Sequence, residues 1–323
     1  MKKSGTNPPR EDEMNAIVAA IEQSLAQDSP GDRAERDAVV AAAVAEVNAR
    51  PLDDFAGLSP EQMGALLYSP FEHPELVSFA EGVAECPTTV MSVLFRVLAD
   101  TIRAEGGIPL TPKGNLPLRV VADAWAAVEA AGLEPEWHPG SRRKEDDFPE
   151  LHVTRLLVQM SGLGRKYRGR LQLTRSTQQK IERGDWASIF RELLRWHTRE
   201  FNWAYQDGYP PLPTVQQGAL FSLYLLARFG DEWRPVSFYI DAFERAFPVA
   251  LDEADEYDGP FSAQEVLRNV WPLRTFMRFA HPFGLIEERD DPDEPDSLLA
   301  FERTREVRKS AFYDQAVTWK VPG

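Results

Sequence analysis

Apolar residues recur at intervals of three and four along most of this chain, which is the spacing that places them on one face of a helix. In the first half the pattern predicts helices over residues 14–25, 33–49, 60–68, 90–104, 117–131 and 149–161. In the second half it predicts helices over residues 186–203, 215–229, 236–247 and 262–279. The sequence therefore predicts a mainly α fold.

Two segments break the helical pattern and alternate apolar with polar residues, as β-strands do. The first covers residues 163–174 and turns at Arg168-Gly169, and the second covers residues 285–303 around an acidic loop, 290–296. We expect each segment to form a two-stranded hairpin, the second with its return strand over 297–303. Superposed by eye, Leu171, Leu173 and Arg175 match Leu299, Phe301 and Arg303.

Each predicted hairpin follows at least two predicted helices, and this chain order is that of a winged helix, a variant of the helix-turn-helix. The order recurs after about 120 residues, which predicts two copies of one module. A proline-rich run at 209–213 predicts a stiff linker between them. The predicted divisions are a disordered tail (1–13), a helical N-terminal region (14–105), a first winged-helix-like module with its connecting helix (106–208) and a second module (209–323).

Three stretches of the first half carry a resemblance to a known group of proteins. They are residues 110–117 (Leu-Thr-Pro-Lys-Gly-Asn-Leu-Pro), Glu150-Leu151-His152 and Leu171-Gln172-Leu173-Thr174. With them the chain resembles, over about residues 58–185, uncharacterised bacterial proteins with winged-helix-like repeats. In some members of that group the repeats accompany a plasmid ORF-3-type domain. The resemblance implies a winged-helix-like fold, and it implies no activity.

Charge and cysteine content exclude several classes of protein. The 323 residues include 36 Lys and Arg against 51 Asp and Glu, a formal net charge of −15, so the chain is not a general binder of polyanions. A single cysteine, Cys86, excludes an internal disulfide framework and a multi-cysteine zinc site. No apolar run approaches the about 20 residues of a membrane span, and the polar start lacks a signal peptide. We therefore expect a cytoplasmic protein that does not bind membranes.

No motif in the sequence predicts catalysis. The five histidines show no H-E-x-x-H spacing, and there is no G-x-S-x-G, P-loop or complete dinucleotide fingerprint. The acidic run 290–296 lacks the glycine and terminal glutamate of a calcium loop, so this run and the acidic run 252–258 are both expected to be solvated loops. Cys86, at a predicted helix start, is expected to be a packed residue. We predict no catalytic residue, no metal site and no bound cofactor.

One basic segment stands out against the acidic whole. Residues 142–199 hold 14 Lys and Arg against 7 Asp and Glu, whereas the remaining chain holds 22 against 44. In a winged helix this segment would include the wing and the start of the helix before it, both of which can approach DNA. The candidate contact residues are Arg142, Arg143, Lys144, Arg165, Lys166, Tyr167, Arg168, Arg170 and Arg175.

These observations leave three functions open. The first is a non-enzymatic protein-interaction or regulatory module, whose partner is another protein or a second copy of the chain. The second is a DNA-binding regulator that uses the basic wing, with weak binding to nucleic acid. The third is a hydrolytic enzyme whose site the sequence does not show. The acidic whole and the acidic second hairpin favour the first, because both oppose the approach of DNA.

Overall fold

The computed structural model describes residue 19 and residues 33–133, 144–290 and 305–321. The chain divides into two compact units, Met1–Ala65 and Leu66–Gly323. The first unit contains α1 (Arg33–Asn48), a short 3-10 turn and the beginning of α2 (Pro60–Tyr68). Both helices agree with the sequence pattern. The predicted tail, and the predicted helix over 14–25 apart from residue 19, lie outside the described residues.

The first half of the large unit combines helices with a small antiparallel sheet. After β1 (Val77–Phe79) come α3 (Val90–Glu105), β2 (Ile108–Pro109), α4 (Leu118–Ala130), α5 (Pro149–Met160), β3 (Gly164–Tyr167) and β4 (Arg170–Leu173). The sheet order is β2-β4-β3. The hairpin predicted over residues 163–174 is confirmed, because β3 and β4 pair antiparallel within that range.

Short helices connect the two halves of the large unit. They are α6 (Arg175–Glu182), α7 (Trp186–Arg199) and α8 (Pro213–Gln217). The connecting helix predicted over 186–203 ends at Arg199, and a 3-10 turn, Trp203–Gln206, follows. The predicted linker, 209–213, is packed against the protein: Arg274 donates hydrogen bonds to the carbonyls of Pro210 and Pro211. It lies within one compact unit, and a module boundary there stays a prediction.

The second half repeats the chain order of the first. Its elements are α9 (Ala219–Phe229), β5 (Arg234–Pro235), α10 (Val236–Ala246), α11 (Val249–Asp255), α12 (Ala263–Pro272), a π-helical segment (Leu273–Ala280), β6 (Ile286–Asp290), β7 (Arg305–Lys309), α13 (Tyr313–Ala316) and β8 (Val317–Trp319). The sheet order β5-β7-β6 corresponds to β2-β4-β3. Strand β8 returns to pair with β1.

The register of the second sheet corrects the superposition made from the sequence. The described return strand is Arg305–Lys309, whereas the predicted one, 297–303, lies outside the described residues. Leu171 pairs with Ile108 in the first sheet, and Val307 pairs with Arg234 in the second. Matching Leu171 with Leu299 is therefore wrong, since Val307 holds that position. The alternating letters at 299–301 resemble a strand, whereas the described strand that pairs with β6 begins at Arg305.

The prediction of a mainly α protein is confirmed. Aromatic residues from the second half fill much of the core, as their helical spacing suggests, and Phe221, Tyr239, Phe243, Trp271 and Phe276 are buried. The core therefore supports both hairpins from beneath, through Leu171 and Val307, and leaves their outer faces in solvent. None of the helices in the described ranges is both long and apolar enough to cross a membrane.

Candidate functional site

The first wing, defined as residues 164–173, presents a polar outer face. Arg165 lies opposite Gln172, and Tyr167 lies opposite Arg170. Because side chains alternate along a strand, these four share one face of the hairpin. The other face carries Leu171 and Leu173, which are buried, and Lys166, which lies opposite Leu171 and is exposed.

The turn of the first wing holds an arginine in an unfavourable backbone conformation. Arg168 has φ 48° and Gly169 has φ 73°, so both central residues of this two-residue turn lie in the left-handed region. Glycine adopts that conformation freely, whereas an arginine costs about 1 kcal/mol there. A residue that works against folding is a candidate for function.

Tyr167 lies between two guanidinium groups at the tip of the first wing. The Cζ atoms of Arg165 and Arg168 lie 5.6 Å and 5.3 Å from its ring centroid. The tyrosine is 47% exposed. Contacts of this kind are worth about 0.5–1 kcal/mol each at an exposed site. They hold both cations on one surface together with an aromatic ring.

In the part of the chain that the structure describes, three cations of the first wing have no carboxylate partner. Within the described ranges, no ion pair involves Arg165, Lys166 or Arg168, although the same part of the protein contains ion pairs elsewhere. All three side chains are exposed. Their positive charges therefore face solvent without internal neutralisation.

Arg170 has a different role from its neighbours on the wing. Its guanidinium donates to the carbonyl of Glu105 at 3.1 Å and to the carbonyl of Gly107. These groups follow the last turn of α3, where a positive charge also interacts favourably with the helix dipole. Arg170 thus fastens the wing to the C-terminal end of α3. Only the remaining cations are free to contact a partner.

The other predicted contact residues are only partly located. Arg175 is exposed at the first position of α6, directly after the wing. Lys144 is exposed before a 3-10 turn, and its backbone N–H donates to Asp147 Oδ2 at 3.1 Å. Arg142 and Arg143 lie outside the described residues.

The helix that precedes the first wing is mostly buried. Seven residues of α5 are buried, namely Glu150, Leu151, Val153, Thr154, Arg155, Leu157 and Val158. The remaining residues, Pro149, His152, Leu156, Gln159 and Met160, are partly or fully exposed and lie three or four positions apart, so they form one narrow stripe. A recognition helix must present such a face to the major groove to read bases. The stripe of α5 carries no Lys or Arg for that contact.

A buried ion pair holds α5 in place. Glu145 accepts hydrogen bonds from His152 Nδ1 at 2.7 Å, Arg155 Nε at 2.5 Å and the Leu116 N–H at 2.5 Å. Burial would raise the pKa of Glu145, but these hydrogen bonds outweigh it, so the pKa lies below its ordinary value. The network joins residues 110–117 to His152, two of the stretches that carry the resemblance.

The second wing, defined as β6 and β7, neutralises its own cations. Arg289 pairs with Glu306 at 2.5 Å, Arg305 with Glu288 at 3.2 Å and Arg308 with Glu287 at 2.6 Å, while Lys309 pairs with Asp231 at 2.9 Å. The guanidiniums of Arg289 and Arg308 also lie over the ring of Trp233. Every described cation of this wing is therefore paired with a carboxylate.

Two side chains that could titrate or react, His197 and Cys86, are fully or partly buried. Burial lowers the pKa of His197 to about 3, and Phe201 and Phe279 stack on its ring, so the imidazole is neutral at physiological pH. Burial also raises the pKa of the half-buried Cys86, which keeps its thiol protonated. In the ranges that the structure describes, no three His, Cys, Asp or Glu residues are placed to hold a metal ion.

One charged cluster escaped the sequence analysis. Asp207 accepts hydrogen bonds from Arg274 and Arg278, which lie 67 and 71 positions later in the chain. No spacing rule connects residues so far apart. The only local signal is the alternation of basic and aromatic residues over 274–279 within the predicted helix 262–279.

Comparison with known proteins gives one match. Residues 88–185 match the Y4jL N-terminal domain family. This part of the chain contains α3, α4, α5, the first wing and α6. No curated protein and no solved structure matches the chain. The likeness to proteins that accompany plasmid ORF-3-type domains stays a prediction.

Proposed function

We propose that this chain is a non-enzymatic cytoplasmic interaction protein built on two winged-helix-like modules, and that its first wing is the contact surface for an acidic partner protein. The order of helix, short strand, helices and hairpin occurs twice, and each half has a three-stranded sheet of the same connectivity. Both features are typical of winged helices. The family match carries no activity and supports this proposal only through the part of the chain that it covers.

The observation that carries the proposal is that no carboxylate among the described residues pairs with Arg165, Lys166 or Arg168 of the first wing. Arg165, Lys166 and Arg168 repel one another on a short hairpin, and the described acidic residues do not offset that repulsion. An anionic surface docked on the wing would offset it. Opposite charges placed across an interface increase specificity and the rate of association.

Two features favour a protein partner over duplex DNA. The partly exposed stripe of α5 carries no Lys or Arg, the side chains that most often contact base edges, so the wing would have to supply the positive charge that holds the duplex. The formal charge of −15 also repels DNA at long range. An acidic patch on a protein carries a lower charge density than DNA and is repelled less.

A second candidate function, binding to nucleic acid, is favoured by Tyr167. Aromatic rings flanked by arginine form stacking platforms for the bases of single strands, and such contacts do not need a recognition helix. Arg165 and Arg168 lie on the ring of Tyr167 in that arrangement. This function would use the same residues, and the experiment below distinguishes it.

The test uses a labelled poly-glutamate peptide, a single-stranded DNA and a DNA duplex, with binding measured by fluorescence anisotropy. We expect the peptide to bind most tightly, with affinity falling between about 50 and 200 mM salt. The triple variant Arg165→Ala/Lys166→Ala/Arg168→Ala should lose that binding, whereas Arg289→Ala/Arg305→Ala/Arg308→Ala on the second wing should keep it. Tighter binding of either DNA would favour the second candidate, and equal binding by both triple variants would refute the first wing as the contact surface.

A further inference from the structure

A cavity of about 430 Å³ lies within the Leu66–Gly323 unit and has no residue in common with the first wing. Apolar side chains form much of its wall: Met91 from α3, Val153 from α5, Leu273 from the π-helical segment, and Pro282. Pockets for small molecules have volumes of about 300–1,000 Å³ and mostly apolar walls with a few polar groups. The cavity has the size and the lining of such a site.

Two guanidinium groups beside this cavity share a single carboxylate. Arg274 donates to Asp207 Oδ2 at 2.9 Å and to Oδ1 at 2.7 Å, and its remaining hydrogen bonds go to the carbonyls of Pro210 and Pro211. Arg278 donates one hydrogen bond to Asp207, at 3.1 Å. With two positive groups and one negative group, this cluster has an excess of one positive charge.

Only one of these arginines is available to a ligand. Arg274 is buried, and its hydrogen bonds to Asp207 and the two carbonyls use four of the five N–H donors of its guanidinium. Arg278 lines the cavity with 29% of its side chain exposed, and a single hydrogen bond joins it to Asp207. The excess charge of the cluster is therefore presented to the cavity by Arg278.

The backbone that positions both arginines is unusual. They lie on the π-helical segment Leu273–Ala280, which continues α12 after Pro272. π-Helical turns are rare and occur frequently at functional sites. Here the segment brings residues four apart to the same carboxylate and places the second at the cavity wall.

The remaining polar wall limits which ligand fits. Gln206 lines the cavity beside Arg278 and has an amide that can both donate and accept hydrogen bonds. Glu150, from the first turn of α5, adds a carboxylate to the wall. Glu150 offsets the charge of Arg278 across the wall as a whole, so the cavity fits a ligand with no more than one anionic group, placed at Arg278.

We propose that this cavity binds a small apolar molecule with a single carboxylate. Its carboxylate would accept hydrogen bonds from Arg278, and its apolar part would lie against Val153 and Leu273. An arginine binds a carboxylate through two parallel hydrogen bonds when both groups are free to align, which gives directional recognition. This site is independent of the function assigned to the first wing.

Isothermal titration calorimetry of the full chain with octanoate, and with its neutral analogue octanamide, tests the proposal. We expect saturable binding of octanoate and at least tenfold weaker binding of octanamide, a difference of about 1.4 kcal/mol. Arg278→Met removes the charge and keeps the apolar stem, so it should bind the two probes equally. Leu273→Trp fills the cavity and should bind neither.

Arg96→Met serves as the matched control, because Arg96 is an exposed arginine of α3 that pairs only with Asp100 on the surface. It should bind octanoate like the unaltered protein. Circular dichroism checks that each variant folds, and the two cavity variants test the proposal independently. Absence of saturable octanoate binding, or octanoate binding that either Arg278→Met or Leu273→Trp leaves unchanged, would overturn the proposal.

Discussion

The two wings have the same sheet connectivity but differ in whether their cations are paired with carboxylates. In the second wing Arg289 lies directly opposite Glu306, and Arg308 lies directly opposite Glu287. In the first wing Arg165 lies opposite Gln172, and no carboxylate occupies any position of the hairpin. Cross-strand pairs of opposite charge stabilise a sheet by about 0.2–1 kcal/mol each. One hairpin thus uses its charges to hold itself together, whereas the other leaves them available to a partner.

Inside the first module, in contrast to its wing, positive charge is paired. Arg155 and His152 both contact the buried carboxylate of Glu145. Glu145→Ala should lower the free energy of unfolding by about 3–5 kcal/mol, because it leaves a buried guanidinium without its partner. Urea denaturation measures this loss, and a loss below about 1 kcal/mol would show that the pair contributes little.

The same residue should make stability depend on pH. The pKa of Glu145 in the folded protein lies below its ordinary value of 4.5. Its contribution is therefore complete above that value and is lost as the pH falls through the lower, folded pKa. The Glu145→Ala variant should lack this part of the acid sensitivity, and identical pH profiles for the two proteins would contradict the account.

Arg170 and Arg168 should differ in what they do for folding. Arg170→Ala should cost about 1–2 kcal/mol, because it removes charged hydrogen bonds to the carbonyls that follow α3. Arg168→Ala removes no such bond, so only small changes are expected. Thermal unfolding of both variants measures the difference. Equal losses would mean that the wing is not fastened through Arg170.

Replacing the turn arginine by glycine should separate stability from binding. Arg168→Gly relieves the left-handed backbone at φ 48°, which should stabilise the protein by about 1 kcal/mol. The greater flexibility of glycine in the unfolded chain offsets part of this gain. The substitution should also weaken binding of the acidic peptide. If binding is unchanged, Arg168 is not a contact residue.

The smallest expected effect concerns the wings without any partner. The first-wing triple variant removes repulsion worth a few tenths of a kcal/mol, together with the contacts of Arg165 and Arg168 with Tyr167. The second-wing triple variant should lower the free energy of unfolding by a few tenths of a kcal/mol for each lost pair. Because salt screens repulsion and attraction alike, high salt should make the first variant less stable, and the second variant more stable, relative to the unaltered protein. Salt effects of the same sign for the two variants would contradict the difference in neutralisation.

Local patterns predicted the helices and the first hairpin well, because both depend on the spacing of apolar residues and on one turn. The return strand of the second hairpin was misplaced, because the letters at 299–301 alternate like a strand, whereas the described strand begins at Arg305. The burial of α5 could not be predicted, because it depends on packing against distant elements. Asp207, Arg274 and Arg278 likewise meet only through the tertiary fold.

The most direct test of the central claim gives the first wing the charge pattern of the second. Gln172 lies opposite Arg165 as Glu306 lies opposite Arg289, so Gln172→Glu should create the missing cross-strand pair. Gln172→Ala is the matched control. We expect Gln172→Glu to bind the acidic peptide about tenfold more weakly. The slope of the logarithm of its affinity against the logarithm of the salt concentration should be shallower by about one. Gln172→Ala should bind like the unaltered protein. Unchanged binding by Gln172→Glu would contradict the claim that unpaired charge makes the first wing a contact surface.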